Sequence, residues 1–82
     1  MNKINWTKKA IKQLKGIDRT WQKKIVNKVS GLNSFPETPA TKALTKHDYG
    51  YRLRVGNYRV LFDFYFNIVT VQEVKKRDER TY

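Results

Sequence analysis

The sequence predicts a small α+β domain in the order β-α-α-β-β-β, with two N-terminal helices packed on one face of a twisted antiparallel sheet. Two observations carry this. Apolar residues recur every three or four positions up to about residue 32, and alternate from about residue 51 onward. Between the two regimes lies "NSFPETPATK", whose two prolines break either pattern and mark a connector. Helices before strands, rather than alternating with them, is the arrangement of an α+β domain.

At 82 residues, positions 1–82 are read as one domain. A chain this short buries only about 60–65% of the surface it exposes when unfolded, so its core is thin. It has no cysteine, which removes disulfides and thiolate zinc sites as reinforcement. No apolar run approaches the roughly 20 residues that span a bilayer. The expectation is a cytoplasmic protein with no membrane partner.

The opening "MNKINW" reads as a short strand with Ile4 and Trp6 on one face. Thr7 is placed to cap a helix over "KKAIKQLKGI", with Ala10, Ile11, Leu14 and Ile17 at helical spacing and Gly16 near its end. Asp18 caps a second helix, "RTWQKKIVNKVSGL", whose apolar stripe is Trp21, Ile25, Val29 and Leu32. So short a turn between them predicts an antiparallel helix pair. Trp6 and Trp21 are assigned to the core.

After the connector, "YRLRV", "YRVLFDFY" and "IVTVQEV" are β-branched and aromatic. Gly56-Asn57 predicts a two-residue hairpin loop, and Phe66-Asn67 marks the next turn. With the first loop in place, Val55 pairs with Tyr58, Arg54 with Arg59 and Arg52 with Leu61. Paired residues share a face. Leu53, Val55, Tyr58, Val60 and Phe62 then form the core face, joined by Val69 and Val71. The other face carries Arg52, Arg54, Arg59, Leu61 and Asp63, with Thr70 and Gln72.

Eighteen Lys and Arg against seven Asp and Glu give a formal net charge of +11. Such an excess repels itself and implies a polyanionic partner, either nucleic acid or an acidic protein. The bland alternative is charge for solubility alone. Like charges paired across strands are unfavourable, so three arginines on one face demand a reason. A solvated face is one. Phosphate recognition is the other, and the planar guanidinium fork, which grips phosphate through two bonds, favours it. The tail "VKKRDERTY" adds Lys75, Lys76, Arg77 and Arg80 before Tyr82. On composition alone it reads equally well as a solvated end.

Other chemistry is sparse. His47 is the single histidine, so acid–base catalysis by a histidine pair is excluded, and a lone loop histidine is usually incidental. The seven carboxylates are scattered without metal-ligand spacing, and no Gly-rich phosphate loop or serine nucleophile motif occurs. No cofactor is expected. Metal-free RNA cleavage stays open: a 2′-hydroxyl can attack the adjacent phosphate if one group takes its proton and cations neutralise the developing charge.

The run "YRLRVGNYRVLF", followed by "VTVQEVKKRDERTY" and preceded by two basic helices and "TKAL" at 41–44, resembles the RelE/ParE superfamily of bacterial toxins. These are the toxin halves of type II toxin–antitoxin modules. The resemblance spans essentially the whole chain. It implies a compact α+β fold and either of two activities: ribosome-dependent mRNA cleavage in RelE-like members, or inhibition of DNA gyrase in ParE-like ones. The RelE-like branch is favoured, and that branch implies an mRNA interferase, a metal-independent endoribonuclease; a non-toxic nucleic-acid-binding module is a further alternative.

Carried over by position, the resemblance assigns Arg52, Arg54, Arg59, Arg77 and Tyr82 to catalysis, with Lys75, Lys76, Arg80 and His47 as further RNA contacts. Arginine hardly deprotonates, so the proton-transferring group stays unassigned, and His47 joins the site only if its loop folds over it. The implied partners are an acidic antitoxin, the ribosome with its mRNA, and operator DNA through the antitoxin complex.

Overall fold

The computed structural model describes residues 1–76. Its elements are β1 (Lys3–Trp6), α1 (Lys8–Lys15), α2 (Arg19–Ser30), a 3-10 turn (Gly31–Ser34), β2 (Thr41–Ala43), β3 (Tyr51–Val55), β4 (Tyr58–Tyr65) and β5 (Ile68–Lys76). The α+β class holds. Both helices start where an oxygen side chain can accept from an otherwise unpaired amide. Thr7 Oγ1 accepts from Ala10 N–H at 3.1 Å and Asp18 Oδ1 from Trp21 N–H at 3.0 Å. Gly16 and Gly31 cap the other ends.

The five strands lie in the order β1-β5-β4-β3-β2. The sheet is mixed rather than wholly antiparallel. From β2 to β5 each pair is antiparallel, but β1 runs parallel to β5, with Ile4 beside Val69 and Trp6 beside Val71. No tight turn connects these two strands, so hairpin geometry does not dictate their direction. The predicted connector also yields an extra strand, β2, which pairs along β3.

The hairpin register is the expected one, from Val55 opposite Tyr58 to Tyr51 opposite Phe62. The apolar parity therefore holds: Leu53, Val55, Val60, Phe62, Val69 and Val71 are all buried. Ala10, Ile25, Val29 and Leu32 meet them from the helical side. Phe35, just after the 3-10 turn, stands edge-on to Tyr51, Phe62 and Phe64 with centroids 4.9–5.2 Å away. Helix α1 packs chiefly on β5, and α2 on β3 and the 3-10 turn. Each helix thus buries its apolar stripe mainly on the sheet, not against the other helix as the short turn suggested. The sheet offers the larger apolar surface. Trp6 and Trp21 are half-buried against the core.

One irregularity matters for function. Leu61 pairs with Glu73 but Phe62 pairs with Val71, so Gln72 is the extra residue of a β-bulge. The bulge reverses side-chain parity along β5. Beyond it, Glu73 and Lys75 join the face opposite the helices, while Val74 and Lys76 turn toward them.

Candidate nucleic-acid interface

Strand register builds the open face of the sheet as two rows. One runs Lys75, Arg59, Arg54 across β5, β4 and β3. The other runs Glu73, Leu61, Arg52, Lys42 across β5, β4, β3 and β2. Five cations and one carboxylate thus occupy seven neighbouring positions. Above them, Lys42, Leu44, His47, Arg52, Arg59, Leu61 and Lys75 line a cleft of about 410 Å³.

The loop carrying His47 does fold over the arginines. It joins β2 to β3 and is closed by the Leu44 N–H donating to the Gly50 carbonyl at 2.8 Å. Lys46 within it takes a left-handed backbone, φ 58°. His47 lines the same cleft as Arg52 and Arg59, which adds an imidazole to a cluster of permanent cations.

The arginines are poised rather than paired. The Nε atoms of Arg52 and Arg59 are buried and lack a hydrogen-bond partner among the described residues. A buried donor left unsatisfied costs about 1–3 kcal/mol. An oxyanion in the cleft would satisfy both donors and relieve the repulsion between them. Asp63 does not serve as their counter-ion. Its Oδ1 accepts the Gly50 N–H at 2.7 Å and its Oδ2 the Gln72 Nε2 amide at 3.2 Å.

Glu73 is the buried carboxylate of this face, 7% exposed. It forms ion pairs with Lys9 at 3.3 Å and Lys75 at 3.8 Å, and accepts from Gln13 Nε2 at 3.4 Å. Burial alone would raise its pKa. Hydrogen bonds from Tyr49, Gln13 and Lys9, with the charge of Lys75, outweigh that and hold it below the ordinary carboxylate value. Tyr49 is shifted the other way: its hydrogen bond to Glu73, some desolvation and the Glu73 charge raise it, so its hydroxyl stays protonated and acts as a donor.

The sequence-assigned residues therefore divide. Arg52, Arg59, Lys75 and His47 converge on the cleft. Arg54 shares their face through its pairing with Arg59, yet it is exposed and lines a different cleft with Trp21, Lys24 and Lys28. Lys76 pairs with Tyr58 and lines a cleft on the helical side with Lys12 and Asp18. Arg77, Arg80 and Tyr82 lie outside the described residues. Lys42 is a lining residue the sequence did not reveal, because three residues are too few to show strand alternation. Glu73 was hidden by the bulge.

Comparison with known proteins follows the same outline. A family model described as ParE toxin of type II toxin-antitoxin system, parDE, matches residues 4–81. No curated protein matches the chain. Among solved structures, the isolated RelE toxin of E. coli superposes with a TM-score of 0.80 at 16% identity, covering 99% of this chain and 89% of that one. The RelB-RelE antitoxin–toxin complex of Methanococcus jannaschii gives 0.74 at 23%, covering 88% of each chain. The ParDE system of P. aeruginosa gives 0.62 at 16%, covering 95% of this chain and 98% of that one. At these identities the structural likeness is one of fold.

Proposed function

Because the chain belongs to the ParE toxin family of type II toxin–antitoxin systems, we propose that it arrests translation as a ribosome-dependent mRNA endoribonuclease, with the Arg52–Arg59 cleft as its active site. The observation that carries this reading is the pair of buried, unpartnered guanidinium Nε donors beneath an imidazole. A surface evolved only to bind DNA gyrase has no need of that combination.

In the proposed reaction the RNA 2′-oxygen attacks the adjacent phosphorus. The O2′–P bond forms, the P–O5′ bond breaks, and a 2′,3′-cyclic phosphate is left. His47, in its neutral form, takes the 2′-hydroxyl proton. Arg52 and Arg59 donate to the non-bridging oxygens, whose charge grows in the transition state. Lys75 and Lys42 hold the flanking backbone, and the departing 5′-oxygen takes a proton from an acid or from water. Arg77 and Tyr82 keep the catalytic assignment, and Arg80 the RNA-contact assignment, that the resemblance implies; Arg54 contacts RNA beside the cleft, whereas Lys76 lies on the helical side, away from it. One imidazole and several cations make a weak catalyst, which fits a site completed by the ribosome positioning its mRNA.

An acidic antitoxin is the proposed partner in the cell, as RelB is for RelE in the solved complexes. The net charge of +11 favours such a partner, and operator DNA would be reached through the complex. Gyrase inhibition is the second reading, favoured by the ParE description of the matching family model.

Purified toxin added to ribosomes programmed with a defined mRNA tests the choice. The first reading expects cleavage of the message on the ribosome, abolished by Arg59→Ala, and no effect on gyrase supercoiling. Intact mRNA together with blocked supercoiling would establish the second.

A further inference from the structure

Among the described residues two carboxylates reach the open face of the sheet, and neither neutralises an arginine. Glu73 is engaged by Gln13, Lys9 and Lys75. Asp63 instead holds the loop beside the cleft: its Oδ1 accepts the Gly50 N–H at 2.7 Å, while its Oδ2 is fixed by Gln72. Gly50 closes the 44–50 loop through its bond to Leu44. His47 is the middle residue of that loop. Residues 45–48 are all exposed, so packing of the loop's own side chains does not fix its course.

We propose that Asp63 is a positioning residue, which clamps the returning leg of the 44–50 loop to the sheet and so holds the His47 imidazole at the Arg52–Arg59 cleft. The catalytic consequence rests on the function proposed above; the mechanical one does not. The arrangement also explains how acids coexist with a phosphate site. Both Asp63 oxygens are occupied as acceptors, which leaves the arginine donors free for an anion. Gly50 is thus the meeting point of two bonds: its amide is caught by Asp63 on β4, and its carbonyl closes the loop by accepting from Leu44.

Amide exchange and turnover together test the clamp in the full chain. Asp63→Ala should speed exchange of the Gly50 amide about tenfold or more, while the Val60 amide in the core keeps its protection. Turnover on programmed ribosomes should fall about tenfold, yet RNA affinity should hold or tighten by up to about threefold, since a negative charge leaves the face. Asp63→Asn, whose amide carbonyl can still accept from Gly50, should recover most of the turnover. Gln72→Ala removes the donor that orients the Asp63 carboxylate, and should raise Gly50 exchange by about threefold.

Unchanged Gly50 exchange in both Asp63→Ala and Gln72→Ala overturns the clamp. RNA affinity falling in step with turnover does so as well, since Asp63 would then belong to the binding surface. Should Val60 lose protection in Asp63→Ala, Gln72→Ala decides alone. A wild-type protein that leaves mRNA intact refutes the nuclease reading, and the exchange data then judge the clamp by themselves.

Discussion

Arg54 and Arg59 stand directly opposite each other across the β3–β4 hairpin, and neither has an ion-pair partner among the described residues. Like charges in that relation oppose folding by about 0.2–1 kcal/mol. The exposed member of the pair can be neutralised with its aliphatic stem kept. Arg54→Gln is therefore expected to raise stability by a few tenths of a kcal/mol, measured by urea denaturation at low salt. The gain should shrink as salt screens the pair. A destabilised Arg54→Gln would mean that the repulsion is already offset.

Position on the sheet sorts the basic residues by their effect on RNA binding. Each phosphate contact to single-stranded RNA contributes about −0.7 to the slope of log K against log salt. Arg52→Gln and Arg59→Gln should each weaken binding and flatten that slope by roughly this amount. Lys76→Gln, on the helical side, should change affinity less than about twofold, even though the formal charge change is the same. Fluorescence anisotropy over a salt series makes the comparison. Equal losses for all three would show that charge acts without regard to place.

Glu73 links the site to acid stability. Its folded pKa lies below the reference 4.5, so its stabilising effect is present above that value and is lost as pH falls through the depressed folded pKa. Glu73→Gln should cost about 1–3 kcal/mol at neutral pH, the loss of hydrogen bonds to a charged group. It should also flatten the decline of stability below pH 4.5. Urea titrations between about pH 3 and 6 report both, and parallel wild-type and variant curves would contradict the assignment.

The hairpin turn itself admits only glycine at its first position. Gly56 has φ 56°, and a Cβ placed there would overlap the Trp21 ring. Gly56→Ala combines a left-handed backbone, about 1–2 kcal/mol, with overpacking of about 1–3 kcal/mol. Its urea midpoint should fall accordingly, with tryptophan emission changed in the native state as Trp21 shifts from Tyr58, now 5.5 Å away.

Much of this geometry is legible in the sequence. Thr7 and Asp18 announce their helices because a cap is a local event. Gly56-Asn57 fixes the hairpin register, and register alone divides Leu53 and Val60 from Arg52 and Arg59. What could not be read is non-local or irregular. The direction of β1 depends on a strand more than sixty residues away. Nothing in "VQEV" marks Gln72 as a bulge, yet that one residue moves Glu73 and Lys75 to the open face and Lys76 off it. His47 reads as incidental because a loop's path over a sheet is set by its anchors. Asp63, which accepts the Gly50 amide, is an ordinary strand residue in sequence.

Whether the Arg52–Arg59 cleft cuts messenger RNA is tested most directly by mapping mRNA 5′ ends in cells after induction, for wild type and Arg59→Ala side by side. A nuclease cleft gives new ends within coding regions for wild type, and their loss in Arg59→Ala with growth restored. An unaltered set of mRNA ends in arrested wild-type cells, with DNA replication stopped, would contradict it.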